Sequence, residues 1–159
     1  MTEVRPYTSV RTVEVTEVGP RDGIQADPTF VPTARKIDWI NRLIDAGVRR
    51  IEATSFVSPR AVPQLADAAE VMKGVKRSKD TVLAALVPNA RGAIRAAEAG
   101  VDQIVVFVSA SESHNLKNLN STVADSLKGF EEVAKIAGDA GIPVHGAIAT
   151  AFGCPFEGN

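Results

Sequence analysis

The chain has few of the residues that several protein classes depend on. Its 159 residues include one cysteine, two histidines and only 5% aromatic side chains. A single cysteine excludes an internal disulfide and favours a reducing compartment such as the cytoplasm. No apolar run approaches the roughly 18 residues of a membrane span, and the first residues lack an apolar signal core. We therefore expect a soluble cytoplasmic protein with no membrane partner.

The chain also has almost no net charge. The net charge of −1 does not indicate a nucleic acid or an anionic membrane surface as a partner. A hydrophobic content of 45% with 23% charged residues is sufficient for a buried core. The length is ordinary for one domain, but a closed (β/α)₈ barrel needs at least about 200 residues.

A repeated junction organises the chain. Helix-like stretches end in Asp/Glu-Ala-Gly followed by a β-branched residue at 45–48, 98–101 and 139–142. Glycine suits the left-handed position after a helix, and β-branched residues favour strands. Helical periodicity covers 34–46 and 122–140, and we expect a further helix over 63–73 with Pro63 in its first turn. Asn89 and Ser121 are candidate N-caps. The strand-like runs are 12–18, 49–54, 81–87, 103–108 and 143–149.

This alternation predicts one α/β domain with a parallel sheet. From the pattern alone, a barrel and a doubly wound sheet are about equally supported. The turn after the first run is Gly-Pro-Arg-Asp-Gly (residues 19–23), which lacks the G-x-G-x-x-G pattern of a dinucleotide fold. Polar motifs follow all five strand-like runs, and in a parallel barrel those positions share the catalytic rim.

The most informative segment is Val-Gly-Pro-Arg-Asp-Gly-Ile-Gln, residues 18–25, directly after the first strand-like run. It presents Arg21 and Asp22 together on a tight turn. A carboxylate can bind a hard divalent cation through oxygen, and a neighbouring guanidinium can stabilise an oxyanion that forms beside it. An isolated Arg-Asp pair would more commonly be a surface ion pair.

Three segments in order resemble the hydroxymethylglutaryl-CoA lyases, which are metal-dependent Claisen-type enzymes on TIM barrels. They are residues 18–25, residues 51–59 (Ile-Glu-Ala-Thr-Ser-Phe-Val-Ser-Pro) and residues 153–158 (Gly-Cys-Pro-Phe-Glu-Gly). The first indicates only the superfamily, whereas the other two are typical of the lyase branch. The related condensing synthases usually have an acidic residue where Ile24 stands. The resemblance implies that residues 1–159 form the N-terminal part of a TIM-barrel domain, truncated after the fifth strand, with strand order 1-2-3-4-5.

The resemblance also implies a reaction and a set of site residues. Such an enzyme cleaves 3-hydroxy-3-methylglutaryl-CoA into acetyl-CoA and acetoacetate with Mg or Mn. Asp22 corresponds to a metal ligand, and Arg21 to the cation that faces the thioester enolate oxygen. Glu52 corresponds to a buried carboxylate that either transfers a proton or orients Arg21. Gln25 and Ser55 correspond to polar residues that orient the substrate, although each could simply bond the backbone.

The resemblance implies a second half that this chain lacks. Three more βα units would carry a His-x-His pair, an asparagine ligand and a loop with a catalytic cysteine. The two histidines here are His114 and His145, so no His-x-His exists. Cys154 belongs to the turn after the fifth strand, and we expect a half-buried apolar role for it. We expect His145 to be structural, in a strand where the family has a basic residue. His114 lies in a polar segment, 111–118, that is either a solvated loop or close to the acyl-CoA.

Three functions remain open at this point. The chain could belong to a lyase, to a related Claisen condensing synthase, or to a non-catalytic fragment that keeps only the fold signature. A five-stranded part of a barrel leaves two strand edges unpaired. We therefore expect a homo-oligomer or a complementing C-terminal half, from the same product or from a second chain, besides the acyl-CoA substrate.

Overall fold

The computed structural model describes residues 13–158, which form a curled, five-stranded parallel sheet. The strand order is β1-β2-β3-β4-β5, with every neighbouring pair parallel. This confirms the predicted order and the partial barrel. The strands are β1 (Thr16–Glu17), β2 (Arg50–Ser55), β3 (Val82–Leu86), β4 (Gln103–Ser109) and β5 (Val144–Ala149).

Helices connect the strands. They are α1 (Ile24–Ala26), α2 (Thr33–Asp45), α3 (Ala68–Gly74), α4 (Ala90–Glu98), α5 (Glu112–Leu119) and α6 (Val123–Asp139). A π-helical turn, Gly19–Gly23, precedes α1, and a 3₁₀ turn, Pro63–Leu65, precedes α3. The single helix predicted over 63–73 is therefore a short turn followed by a separate helix. The glycines at the repeated junctions, Gly47, Gly100 and Gly141, have φ values of 83°, 70° and 69°, as expected for left-handed positions.

The first strand is shorter than predicted. Of the run 12–18, only Thr16 and Glu17 pair with β2, opposite Arg50 and Ile51; residue 12 lies outside the described residues. The strand ends at Glu17 because its carboxylate accepts a hydrogen bond from the Gly19 N–H at 2.6 Å, which turns the chain out of the sheet.

Of the two predicted helix caps, Asn89 is confirmed and Ser121 is wrong. Asn89 caps α4 as predicted, because its side-chain oxygen accepts the Gly92 N–H at 3.0 Å. The prediction that Ser121 caps α6 is wrong. Thr122 is the cap, and its hydroxyl accepts the Asp125 N–H at 3.0 Å.

The polar segment 111–118 is a helix rather than a solvated loop. Ser111 caps α5, since its hydroxyl accepts the His114 N–H at 3.2 Å. Asn115 is fully buried, and its amide donates to the Ser121 carbonyl and the Ser126 hydroxyl at 2.8 and 2.9 Å. These hydrogen bonds fasten α5 to the start of α6.

The two faces of the sheet have different environments. One face packs under the helices in a continuous apolar core that includes Ile40, Ile51, Leu83, Ile104 and Val133. The other face is the inside of the curl, where Glu52, Ala84 and Gln103 are in register across β2, β3 and β4. Ionisable groups therefore collect on the concave face. None of the helices in residues 13–158 is long and apolar enough to cross a membrane.

Candidate active site

The π-helical turn presents Arg21 and Asp22 at the carboxyl end of β1. The backbone N–H groups of both residues donate to the Val18 carbonyl, at 3.0 and 2.7 Å. Gly19 is confined between the Glu17 carboxylate and the Trp39 ring, since an added Cβ would lie 2.8 Å from the first and 3.1 Å from the second. The turn is therefore fixed by its own hydrogen bonds and by α2 behind it.

Arg21 joins two carboxylates that differ in exposure. Its Nε donates to Glu52 Oε1 and its Nη1 to Asp22 Oδ1, each at 2.6 Å. The exposed side-chain fractions are 16% for Arg21, 8% for Glu52 and 62% for Asp22. The ion pair compensates the buried charge of Glu52, which would otherwise be strongly destabilising. The predicted convergence of these three side chains on one rim is confirmed, and Asp22 remains open to a ligand.

An irregularity in β2 places Ser55 on the same face as Glu52. In a regular strand, residues three apart face opposite sides of the sheet. Here the register shifts between Glu52 and Thr54, so that Glu52 pairs with Ala84 and Ser55 pairs with Leu86. Since these two partners are two residues apart, they share a face, and Ser55 returns to the concave side.

Ser55 and Gln25 have different environments. The buried Ser55 hydroxyl donates to the Leu86 carbonyl at 3.2 Å and accepts the Val57 N–H at 3.3 Å. Gln25 lies in α1 with an exposed side chain, immediately beyond the Arg21–Asp22 turn. Substrate binding by Ser55 and Gln25 therefore stays a prediction, and Ser55 also has the backbone bonds that a structural role needs.

Hydrogen bonds connect the loop after β5 to the start of α5. Ser111 Oγ and Cys154 Sγ share a hydrogen bond of 2.9 Å, and the Ser113 N–H donates to Glu157 Oε1 at 2.7 Å. Burial raises the pKa of the Cys154 thiol, but hydrogen bonds from Ser111 and from backbone N–H groups outweigh it, so the pKa is lowered. Hydrogen bonds from Ser113 also lower the pKa of Glu157.

Cys154 therefore has a different environment from the one expected. Instead of a half-buried apolar contact, it is a buried, hydrogen-bonded group that holds a loop. Its backbone also pairs with Gly158 in an antiparallel bridge, with N–O distances of 2.8 and 2.9 Å.

The two histidines lie in different parts of the sheet, His114 beyond the end of β4 and His145 near the start of β5. His114 Nδ1 is hydrogen-bonded to the buried hydroxyl of Ser109, at 2.7 Å, where β4 ends. His145 lies on β5 opposite Val105 and has an exposed side chain on the concave face. The structure therefore separates them and does not bring them together as a metal-binding pair.

The sequence did not indicate the polar contacts of two basic residues, Arg50 and Lys36. Arg50 bonds the Gln103 amide oxygen across the concave face and pairs with Glu14 at 3.3 Å. The buried Lys36 pairs with Asp67 at 2.6 Å and so connects α2 to the loop before α3. The position of Arg50 two residues before Glu52 was a usable signal, because that spacing places both on one face.

The carboxylate oxygens of this site suit a hard divalent cation but are too few to complete its coordination shell. Carboxylate oxygens are the ligands that Mg²⁺ prefers, and Asp22 offers one with more than half of its side chain exposed. Within residues 13–158, no three His, Cys, Asp or Glu side chains are close enough to hold a metal ion. Further ligands would have to come from elsewhere.

A curled parallel βα sheet, with Arg21 and Asp22 after β1 paired to Glu52 on the concave face of β2, is the architecture of part of a (β/α) barrel. The chain belongs to the HMGL-like family, whose model matches residues 12–158. It is 46% identical over 152 residues to the hydroxymethylglutaryl-CoA lyase YngG of Bacillus subtilis, covering 96% of this chain and 50% of that protein. It is 48% identical over 147 residues to the cytoplasmic 3-hydroxy-3-methylglutaryl-CoA lyase of Homo sapiens, covering 92% and 40%.

Solved structures agree with this assignment. An HMG-CoA lyase from Acinetobacter baumannii, in complex with coenzyme A and 3-methylmalate, has a TM-score of 0.88 and 49% identity, covering 92% of this chain and 48% of that one. The Bacillus subtilis HMG-CoA lyase has a TM-score of 0.91 and 45% identity, covering 94% and 50%. The chain thus spans about half the length of the relatives it matches. Relatives include cytoplasmic and mitochondrial proteins.

Proposed function

We propose that the protein is the N-terminal part of a hydroxymethylglutaryl-CoA lyase, a carbon–carbon lyase that cleaves 3-hydroxy-3-methylglutaryl-CoA into acetyl-CoA and acetoacetate. The observation that carries this proposal is the paired triad of Arg21 and Asp22, which follow the end of β1, with Glu52, which lies within β2 on the concave face. The names of the relatives support the same activity. About half of a complete enzyme is absent, so catalysis requires a second half.

Arg21 is suited to the developing negative charge. In the retro-Claisen step, the hydroxyl proton leaves and a ketone forms as the carbon–carbon bond breaks. The bonding electrons pass to the thioester as an enolate, which then takes up a proton. Nη2 of Arg21 makes no hydrogen bond to residues 13–158 and is free to donate to the enolate oxygen. A preformed donor stabilises such an oxyanion more than the ground state.

Glu52 acts as the positioning residue for Arg21 in this proposal. Its Oε1 already accepts the Arg21 Nε, and its side chain is nearly inaccessible. This arrangement favours orientation of the guanidinium over direct proton transfer to or from the substrate.

Asp22 would supply one oxygen ligand to Mg or Mn. When bound, such a cation polarises the oxygens of the substrate. Asp22 would be held in place for this role by the Arg21 Nη1 contact. Gln25, on the next turn, and Ser55, on the floor of the site, would orient the substrate.

The same proposal specifies partners and location. The substrate is an acyl-CoA, and the partner is either a complementing C-terminal half, from the same product or from another chain, or a second copy in a homo-oligomer. We place the protein in the cytoplasm, which agrees with a single cysteine that has no disulfide partner.

Ile24 distinguishes the lyase from the condensing synthase. The related synthases usually have an acidic residue at this position, whereas the chain has a buried isoleucine, 3% exposed, directly beyond the Arg21–Asp22 turn. This difference favours the lyase over the synthase.

A chimera tests the proposal. The chain is fused to the segment of the Bacillus subtilis relative that follows its match to residue 158, and is assayed with Mg²⁺ in both directions. We expect acetoacetate release from 3-hydroxy-3-methylglutaryl-CoA, abolished by Asp22→Ala. Condensation of acetyl-CoA with an oxo acid would favour the synthase. A folded chimera without either activity would favour a non-catalytic fragment.

A further inference from the structure

A buried lysine lies at the same end of the sheet as Arg21 but outside the triad. Lys36 is in the first turn of α2, which is at the carboxyl end of the sheet because α2 runs back from the end of β1. Its side chain is only 2% exposed. A buried ammonium loses much of its hydration free energy, so it is tolerated only where the protein supplies partners for its donors.

The partners of Lys36 belong to two different segments of this rim. Nζ donates to the Gln64 carbonyl at 2.5 Å and to Asp67 Oδ1 at 2.6 Å, both in the segment after β2. Nζ also lies 4.7 Å from the centroid of the Phe30 ring, in the segment after α1, which is within cation–π range. The Thr33 hydroxyl holds the other oxygen of Asp67, at 2.7 Å. One ammonium therefore joins both segments to the start of α2.

Gln64 extends this connection to α1. Its backbone carbonyl accepts the Lys36 ammonium, and its side-chain Nε2 donates to the Asp27 carbonyl at 2.6 Å. Within residues 13–158 this is the only hydrogen bond of the Gln64 side chain, whose Oε1 is buried without a partner. Asp27 ends α1, and its N–H donates to the Ile24 carbonyl at 3.1 Å. The end of α1 is therefore fastened to the lysine through one glutamine.

Helix α1 is continuous with the π-helical turn of the candidate active site. The Ile24 N–H donates to the carbonyls of Gly19 and Arg21, so the turn passes directly into α1. A displacement of the end of α1 would consequently move Asp22 and Gln25, whose side chains are exposed.

We propose that Lys36 is a positioning residue of the active site, which acts through Gln64 to fix the end of α1 and so the direction in which Asp22 and Gln25 face the substrate. The roles of Asp22 and Gln25 rest on the proposed function, whereas the link from Lys36 to α1 does not. Several donors aimed at fixed partners specify one arrangement of the two segments. A site that binds a cation or a substrate needs such support from the residues behind it.

Amide hydrogen exchange in the 159-residue chain, without metal or substrate, tests the link itself. Lys36→Met removes the ammonium. Gln64→Ala removes the bond to Asp27 but retains the Gln64 carbonyl and the Lys36–Asp67 pair. We expect each substitution to accelerate exchange of the Asp27 amide about fivefold or more, as for the loss of one hydrogen bond. The double variant should exchange no faster than the faster single variant, because both substitutions interrupt one link.

Kinetics of the chimera test the consequence for the site. The Mn²⁺ concentration that gives the half-maximal rate depends on the position of Asp22 and not on the amount of folded enzyme. We expect Gln64→Ala to raise this concentration about tenfold, as for other residues that orient a metal ligand from behind, with Tm nearly unchanged. The matched control is Lys76→Met, which removes an ion pair with Asp45 at the other end of α2. It should change neither the Mn²⁺ requirement nor the exchange of the Asp27 amide.

Several results would overturn the inference. These are normal exchange of the Asp27 amide in Gln64→Ala, additive effects of the two substitutions, or a Lys36→Met variant that is destabilised but has a normal Mn²⁺ requirement. If Lys36→Met does not fold, Gln64→Ala decides alone. Exchange that depends on Gln64, in a chimera that cleaves nothing, refutes only the proposed function. Cleavage together with exchange that is independent of Gln64 refutes only this inference.

Discussion

Arg21 is held by one buried and one exposed carboxylate, which fixes both its charge and its direction. Two of its three guanidinium nitrogens donate to Glu52 and Asp22, and within residues 13–158 the third, Nη2, has no acceptor. Lysine at this position would keep the charge but could not hold both carboxylates and still reach the substrate. The role of Arg21 therefore depends on the planar fork.

In the complemented enzyme, we expect Arg21→Lys to lower kcat by about 10²–10³, because the lost interaction strengthens as the enolate charge develops. Steady-state kinetics and a separate Mn²⁺ titration provide the measurement, with Arg42→Lys on α2 as the matched control. A near-normal kcat with only a raised KM would mean that Arg21 serves binding alone.

The side-chain hydroxyl of Thr54 is buried without a hydrogen bond to residues 13–158 that would offset its loss of hydration. The residue is 1% exposed, and its Oγ1 has no hydrogen-bond partner in residues 13–158. We expect Thr54→Val to raise the free energy of unfolding by about 1 kcal/mol, since it removes an unsatisfied polar group without changing the shape. Urea denaturation measures this.

The matched control is Thr81→Val. Thr81 is also buried, but its hydroxyl donates to the Val48 carbonyl at 3.0 Å. Here the substitution should destabilise the protein by about 1 kcal/mol, because the hydrogen bond that the Thr81 hydroxyl donates is lost. Equal effects of the same sign in both variants would contradict the assignment of Thr54 as unsatisfied.

At the scale of single residues, the sequence predicted the positions that depend on parallel strands and their alternating faces. Arg21 and Asp22 follow the end of β1, and Glu52 meets them because it lies on the concave face of the neighbouring parallel strand β2. The hydrogen bonds of Ser55 could not be predicted in the same way. They depend on a register shift in β2, and the alternation pattern contains no signal for that shift.

Alanine substitutions at two helical glycines, Gly92 and Gly129, distinguish the effect of close packing from that of helix propensity. In Gly92→Ala the new Cβ would lie 2.9 Å from the Phe56 carbonyl oxygen, so α4 must move. We expect destabilisation of roughly 1–2 kcal/mol, because overpacking outweighs the gain in helix propensity. In Gly129→Ala of α6 nothing lies within 4 Å, so the variant should be stabilised by about 0.5–1 kcal/mol. Thermal unfolding of both tests this, and stabilisation of both would contradict the close approach.

Acid should release the loop after β5 from α5. The pKa of Glu157 is lowered by hydrogen bonds from Ser113, so the contact is fully present above the ordinary glutamate pKa of about 4.3. It is lost as the pH falls through the lower, folded-state value. The amide resonance of Ser113 should follow this transition in an NMR titration. In Glu157→Gln that pH dependence should disappear, and its persistence would contradict the assignment.

Helices and strands were predicted correctly where the sequence has apolar periodicity or a junction glycine. The prediction failed for helix α5. The three Ala-Gly junctions all take the left-handed form that glycine permits. Helix α5 has few apolar residues and is fastened instead by the buried amide of Asn115, whose oxygen accepts the Ser109 N–H at 3.0 Å. Hydrophobic periodicity does not detect a helix that is held by polar contacts.

Within residues 13–158, the parallel sheet has two edge strands, β1 and β5, that pair with one neighbour each. On β5 the side chain of Ile148 is 66% exposed, and next to β1 Val13 and Val15 are also largely exposed. In a closed barrel such outward residues lie under helices, and the edges are paired. The matched structures are about twice as long as this chain. The sequence predicted the strand order, since successive βα units with right-handed crossovers lie side by side.

The most direct test of the central claim is acetoacetate release by the chain alone and with a second half supplied in trans. The second half is the segment of the Bacillus subtilis relative beyond its match to residue 158, and both reactions contain Mn²⁺ and 3-hydroxy-3-methylglutaryl-CoA. The account predicts no turnover by the chain alone, since Asp22 is only one of several ligands that the cation needs. It predicts turnover on mixing, abolished by Asp22→Ala. Robust cleavage by the chain alone, or activity on mixing that survives Asp22→Ala, would contradict it.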